Sequence, residues 1–148
     1  MPEDDGVGYG SQRQVSGACQ IVGNLLWALP PEAATPMVEK DAIHIALWKM
    51  LVNREIGDDE DVTYSVVGLL IQLTRPSAHV RALIGDDENA EMALKGLCEH
   101  KTPQVKQQGI NLLRALGKEC PVNQERFGSL AAQITIAPAE TGRITDGA

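Results

Sequence analysis

Three histidines and three cysteines are the residues of this chain best suited to bind a metal or attack a carbonyl, and their spacing serves neither task. His44, His79 and His100 lie at no metal-site interval from Cys19, Cys98 and Cys120, and no C-x-x-C pair occurs. Cys98 and His100 are too close along one expected helix to face the same way. His44 reads as a helix-start residue. G-x-S-x-G, a phosphate-cradling glycine loop and H-E-x-x-H are all missing. Gly6, Gly8 and Gly10 alternate, but no predicted strand precedes them, so they make no dinucleotide fingerprint. Carboxylates cluster as Glu3-Asp4-Asp5, Asp58-Asp59-Glu60-Asp61 and Asp86-Asp87-Glu88, in loops and helix starts where nothing desolvates them. A general acid needs the raised pKa that burial or a close like charge provides. The expectation is a protein that is not an enzyme, with no catalytic, cofactor-binding or metal-binding residues.

What does recur is amide chemistry. The phrase Asn24-Leu25-Leu26-Trp27-Ala28-Leu29 returns as Gly68-Leu69-Leu70-Ile71-Gln72-Leu73 and again as Asn111-Leu112-Leu113-Arg114-Ala115-Leu116. The steps are 44 residues (Leu29 to Leu73) and 43 (Leu73 to Leu116). One helical turn apart lie Gln20, Asn24 and Ala28, then Tyr64, Gly68 and Gln72, then Gln107, Asn111 and Ala115. An amide side chain both donates and accepts, so it can pair with the backbone of an extended partner. The candidate partner-binding residues are Gln20, Asn24, Trp27, Tyr64, Gln72, Gln107, Asn111 and Arg114. Ordinary solvated faces are the alternative. Trp27 suits packing on the next unit or partner contact equally, and Trp48, set among Ile45, Leu47, Met50 and Leu51, reads as core.

These side chains need helices to position them. Val15, Cys19, Val22, Leu25, Leu26 and Leu29 fall at three- and four-residue steps, one stripe of an amphipathic helix over 11–29 that Pro30-Pro31 stops. Short and middle helices follow over 32–39 and from Asp41 to about Arg54. The order repeats as a long helix over 62–74, a short one over 77–84 and a middle one over 88–99. Thr102-Pro103 reads as an N-cap with proline at the first helical position of a third long helix. A further short helix is expected over 123–130. About 60–70% helix and no sheet is the expectation.

The bulk composition agrees. Aromatic residues make up only 3% of a 148-residue chain that is 43% hydrophobic, so the core must be aliphatic, which suits packed helices. A net charge of −7 argues against nucleic-acid backbones and anionic membranes and favours a basic partner, steered by the acidic loops. An odd number of cysteines without redox spacing fits a reducing compartment, and no apolar run is long enough to span a bilayer. The cytoplasm is the expected location, the nucleus the alternative.

Self-similarity at a period in the forties marks a helical solenoid, whose units bury their apolar faces only by stacking. An irregular bundle with coincidental Leu-Leu pairs is the alternative. The stretch Val38-Glu39-Lys40-Asp41-Ala42-Ile43-His44-Ile45-Ala46-Leu47-Trp48-Lys49-Met50-Leu51 resembles the V-E-A-G-A-I-P-L-L-V-K-L-L join of the armadillo repeat. Gln104 to Leu116 with Pro121-Val122-Asn123-Gln124 is similar to that family's third helix and its N-P-E-N-K exit. The resemblance implies an all-α, right-handed α-solenoid over 11–132, with two full three-helix repeats and partial ones at each end, serving as a protein-interaction scaffold. A disordered lead-in over 1–10 and a flexible tail over 133–148 flank it. Asp41 and Asp87 replace the family's join glycine, which puts the bend there in doubt. The Trp–Asn pairs of nuclear-import members are also missing, so nuclear-signal binding is not expected. Arg114-Ala115-Leu116-Gly117-Lys118-Glu119-Cys120 with Asn123-Gln124-Glu125-Arg126 resembles the GDP-dissociation stimulators, which implies a second reading as an exchange factor or chaperone for a small GTPase.

Solenoids need about three repeats and capped ends. The first long helix is therefore expected to expose a flank of Val15, Val22 and Leu26, and Leu112 and Leu116 to lack cover. Either a longer parent protein or self-association follows from that expectation.

Overall fold

In the computed structural model the backbone is described for residues 2–53 and 59–134, and side chains from residue 13 within those ranges. The described residues are all-helical, at 80% helix, with no strand among them. Helix α1 (Pro2–Ala28) is followed by a 3-10 turn (Pro31–Ala34), α2 (Thr35–Glu39) and α3 (Ile43–Val52). Then come α4 (Glu60–Leu73), α5 (Ala78–Gly85), α6 (Ala90–Cys98), α7 (Pro103–Gly117) and α8 (Pro121–Arg126), with further helix over 128–134.

Local chemistry accounts for most boundaries. Asp59 Oδ1 accepts from the Val62 amide at 3.0 Å and caps α4, whose first turn carries Glu60 and Asp61 where the backbone dipole is positive. Ser77 Oγ caps α5 by accepting from the Val80 amide. Pro103 and Pro121 occupy first helical positions, where a missing amide hydrogen costs nothing. Thr102 is the N-cap residue expected, but its hydroxyl donates to Glu60 Oε2 at 2.6 Å instead of capping α7.

Several boundaries differ from the sequence reading. The backbone of 2–10 is helical where a disordered lead-in was expected. Pro2 followed by Glu3-Asp4-Asp5 is a favourable helix start, which outweighs the three glycines. The bend between α2 and α3 falls at Ala42, held at φ 50° and ψ 40°, one residue beyond the Asp41 that replaces the family's glycine. Residues 133 and 134, expected to open the flexible tail, are helical, and residues 135–148 lie outside the described residues.

The long helices α1, α4 and α7 lie side by side, with α4 in the middle, and α2, α3, α5 and α6 pack as a second layer. Between the layers sit Trp48, Val66, Leu70, Leu73, Ile84, Leu94, Leu112 and Leu116, all fully buried. Trp48 is thus core, and its Nε1 donates to the Ile84 carbonyl at 2.9 Å, tying α3 to α5. The repeat register holds at Leu26, Leu70 and Leu113, all buried. Leu112 and Leu116, expected to lack cover, are fully enclosed because α5, α6 and α8 pack on α7.

Helix α1 is the exception. Leu26 is buried and Val15 and Val22 pack against the core, so the flank expected to be bare is covered. The bare flank instead carries Ile21, Leu25 and Leu29; Leu69 and Leu112, the counterparts of Leu25, and Leu73 and Leu116, those of Leu29, are buried. The reason is geometric. Helix α4 turns Ser65 and Leu69 toward α1, and α7 turns Gln108 toward Gly68 of α4. Among the described residues, no long helix lies beside the equivalent flank of α1.

Candidate partner-binding groove

Where α1 and α4 run side by side, their polar faces leave a groove of about 450 Å³. Its walls include Gln20, Asn24 and Trp27 from α1 and Tyr64, Gly68 and Gln72 from α4. Five of the eight residues singled out from the sequence are therefore brought together: Gln20, Asn24, Trp27, Tyr64 and Gln72. They meet because both helices carry the same ladder of non-apolar positions, and stacking in register sets the ladders opposite one another.

The floor is small and partly polar. Gly23 lets the helices close until a side chain there would touch the Leu69 backbone at 4.0 Å. Ser16 and Ser65 share a hydrogen bond of 3.0 Å across the interface, and Gln20 Nε2 donates to Ser65 Oγ at 3.2 Å. That pins Gln20 and leaves its carbonyl oxygen available. The rim is open: Trp27 is 70% exposed and Tyr64 48%, far more than packing on a next unit would leave. Cys19 lies in the floor, and burial raises the pKa of its thiol, so it serves as a small apolar group rather than a nucleophile.

Arg75 closes one end. Its Nη1 donates to the Leu26 carbonyl at 2.9 Å and to Gln72 Oε1 at 3.1 Å, and its guanidinium lies 5.4 Å from the centroid of the Trp27 ring. The sequence reading missed Arg75 and the Ser16–Ser65 pair. Arg75 lies just past the long helix expected over 62–74, and neither serine carried a signal. Their roles arise from the crossing of two helices almost fifty residues apart.

The three remaining candidates stand on α7, outside the groove lining. Gln107 Nε2 donates to Asn111 Oδ1 at 3.0 Å, and Asn111 Nδ2 donates to Gln108 Oε1 at 3.3 Å. These amides satisfy one another. Arg114 is exposed. Of the acidic run, Asp59 caps α4 and Glu60 accepts from Thr102, while Asp58 lies outside the described residues. No family model, curated protein or solved structure matches the chain.

Proposed function

We propose that this chain is a short armadillo-like right-handed α-solenoid that serves as a protein-interaction scaffold, holding an extended partner segment in the groove between α1 and α4. One observation carries the reading: the repeated amide and aromatic positions converge on a single open groove lined by Gln20, Asn24, Trp27, Tyr64 and Gln72. The side-by-side long helices and the common register of Leu26, Leu70 and Leu113 support the solenoid. Asn24 and the free oxygen of Gln20 offer hydrogen bonds to a strand-like backbone, and Trp27 and Tyr64 offer apolar surface at low entropic cost.

The residues that resemble the GDP-dissociation stimulators give the exchange-factor reading no further support. Asn123 and Arg126 serve inside the protein, binding each other and the carbonyls of Arg81, Leu116 and Ala82. The test compares capture of partners from cell extract by the full chain and by a Gln20→Ala, Asn24→Ala, Tyr64→Ala variant. Partners retained by the wild type and lost by the variant support the groove. Equal capture places binding elsewhere, and accelerated GDP release from a captured GTPase would revive the exchange reading.

A further inference from the structure

The described lining of the groove is uncharged, and the guanidinium of Arg75 stands beside its Gln72 and Trp27. The chain has a net charge of −7, yet no carboxylate lines the groove among the described residues. Extending the register across all three long helices, Trp27 corresponds to Ile71 and Arg114, and neither Asp nor Glu occurs at any ladder position. Asp61, one turn before Tyr64, is the acid at the opposite end from Arg75. No carboxylate lies within ion-pair distance of Arg75 among the described residues.

Arg75 is also prepared for one kind of ligand. Both hydrogens of Nη1 are engaged, one by the Leu26 carbonyl and one by Gln72. Its Nε and Nη2 hydrogens have no partner among the described residues. Those hydrogens form the side edge of the guanidinium, whose parallel donors match the two oxygens of a carboxylate. The hydrogen bonds and the Trp27 face hold the fork in place, so little side-chain entropy is lost on binding.

We propose that the segment held in this groove carries an acidic side chain, Asp or Glu, that docks bidentately on the Nε–Nη2 edge of Arg75 beside Trp27. The proposal rests on the groove reading above and refines it: charge complementarity selects an acidic segment where the overall charge suggested a basic one. Placing Asp61 and Arg75 at opposite ends also orients the segment, with its acidic residue toward the C-terminal ends of α1 and α4.

The test is selection of a random-peptide display library on the full chain, with internal and free-C-terminal formats run in parallel. Enrichment of Asp or Glu at one fixed position in both formats is expected. Replacing that residue by Gln or Asn in the synthetic peptide should weaken binding about tenfold or more, a comparison made on unaltered protein. The Arg75→Gln variant, checked for unchanged melting, should bind both peptides alike. Peptides that depend on Gln20 and Asn24 but show no acidic position would overturn the carboxylate assignment and leave the groove standing. Enrichment only with free C-termini would assign the carboxylate to the chain end and overturn the side-chain proposal. No enrichment at all would remove the groove reading and this proposal with it.

Discussion

At the scale of single residues, the most consequential polar group lies outside the groove. Asn123 is fully buried, and its Nδ2 donates to the Arg81 and Leu116 carbonyls at 2.8 Å each while its Oδ1 accepts from Arg126 at 2.7 Å. One amide therefore joins α5, α7 and α8. Asn123→Ala should cost about 3 kcal/mol, because it strands two buried carbonyls and opens a cavity; a loss below about 1 kcal/mol in denaturant unfolding would show that water replaces the amide readily. His44 is buried with Nδ1 unpartnered, and desolvation holds its pKa below the usual 6.5, with the charge of Asp87 partly opposing. The unfolded chain therefore binds a proton more readily than the folded one. Stability should be complete above about pH 6.5 and decline as pH falls toward the lowered folded value. His44→Leu should abolish that part of the decline in pH-dependent unfolding, and an unchanged pH profile would exclude His44 as its source. Burial pushes the Cys98 thiol up to about 11, so a thiol reagent at neutral pH should label it only as the protein unfolds.

At the scale of elements, close approach and backbone strain decide more than propensity. Gly109 of α7 lies against α6, where a Cβ would stand 2.6 Å from the Leu97 Cβ. Gly109→Ala must push the two helices apart and should destabilise by about 1–3 kcal/mol, measured by chemical denaturation; a neutral effect would mean that α6 shifts freely. Ala42→Gly should act in the opposite direction. Relief of the left-handed strain, about 1–2 kcal/mol, outweighs the added entropy of the unfolded chain, so a gain of about 0.5–1 kcal/mol is expected by thermal unfolding. The long helices were legible in the sequence because aliphatic spacing and following prolines mark them without tertiary help. The position of the α2–α3 bend was not, since an alanine in left-handed geometry leaves no trace in residue type. The start of α1 was obscured by Gly6, Gly8 and Gly10, each a poor helix former alone.

At the scale of the whole molecule, repetition made half the groove readable. Gln20, Asn24, Tyr64 and Gln72 could be found because they are the non-apolar positions of a recurring helical phrase, and α1 and α4 pack side by side. Arg75 could not, because its meaning comes from reaching the Leu26 carbonyl across the stack. Net charge is a coarser guide, since it counts acids wherever they stand, and none belongs to the described lining of the groove.

The bare flank of α1 has a consequence for motion. Helix α4 is held by long helices on both sides, whereas α1 is held chiefly by α4 and the 3-10 turn. Opening free energy should therefore be graded across the stack, with α1 detaching as a local unit while α4 and α7 remain folded. In native-state hydrogen exchange, the amides of α1 from Ser16 to Leu26 should exchange before those of α4. A segment held in the groove as proposed would touch both helices at once and act as a staple between them. Its binding should slow exchange in α1 far more than in α7, which converts an unseen contact into a protection pattern along the chain. Uniform slowing throughout would place the bound segment elsewhere.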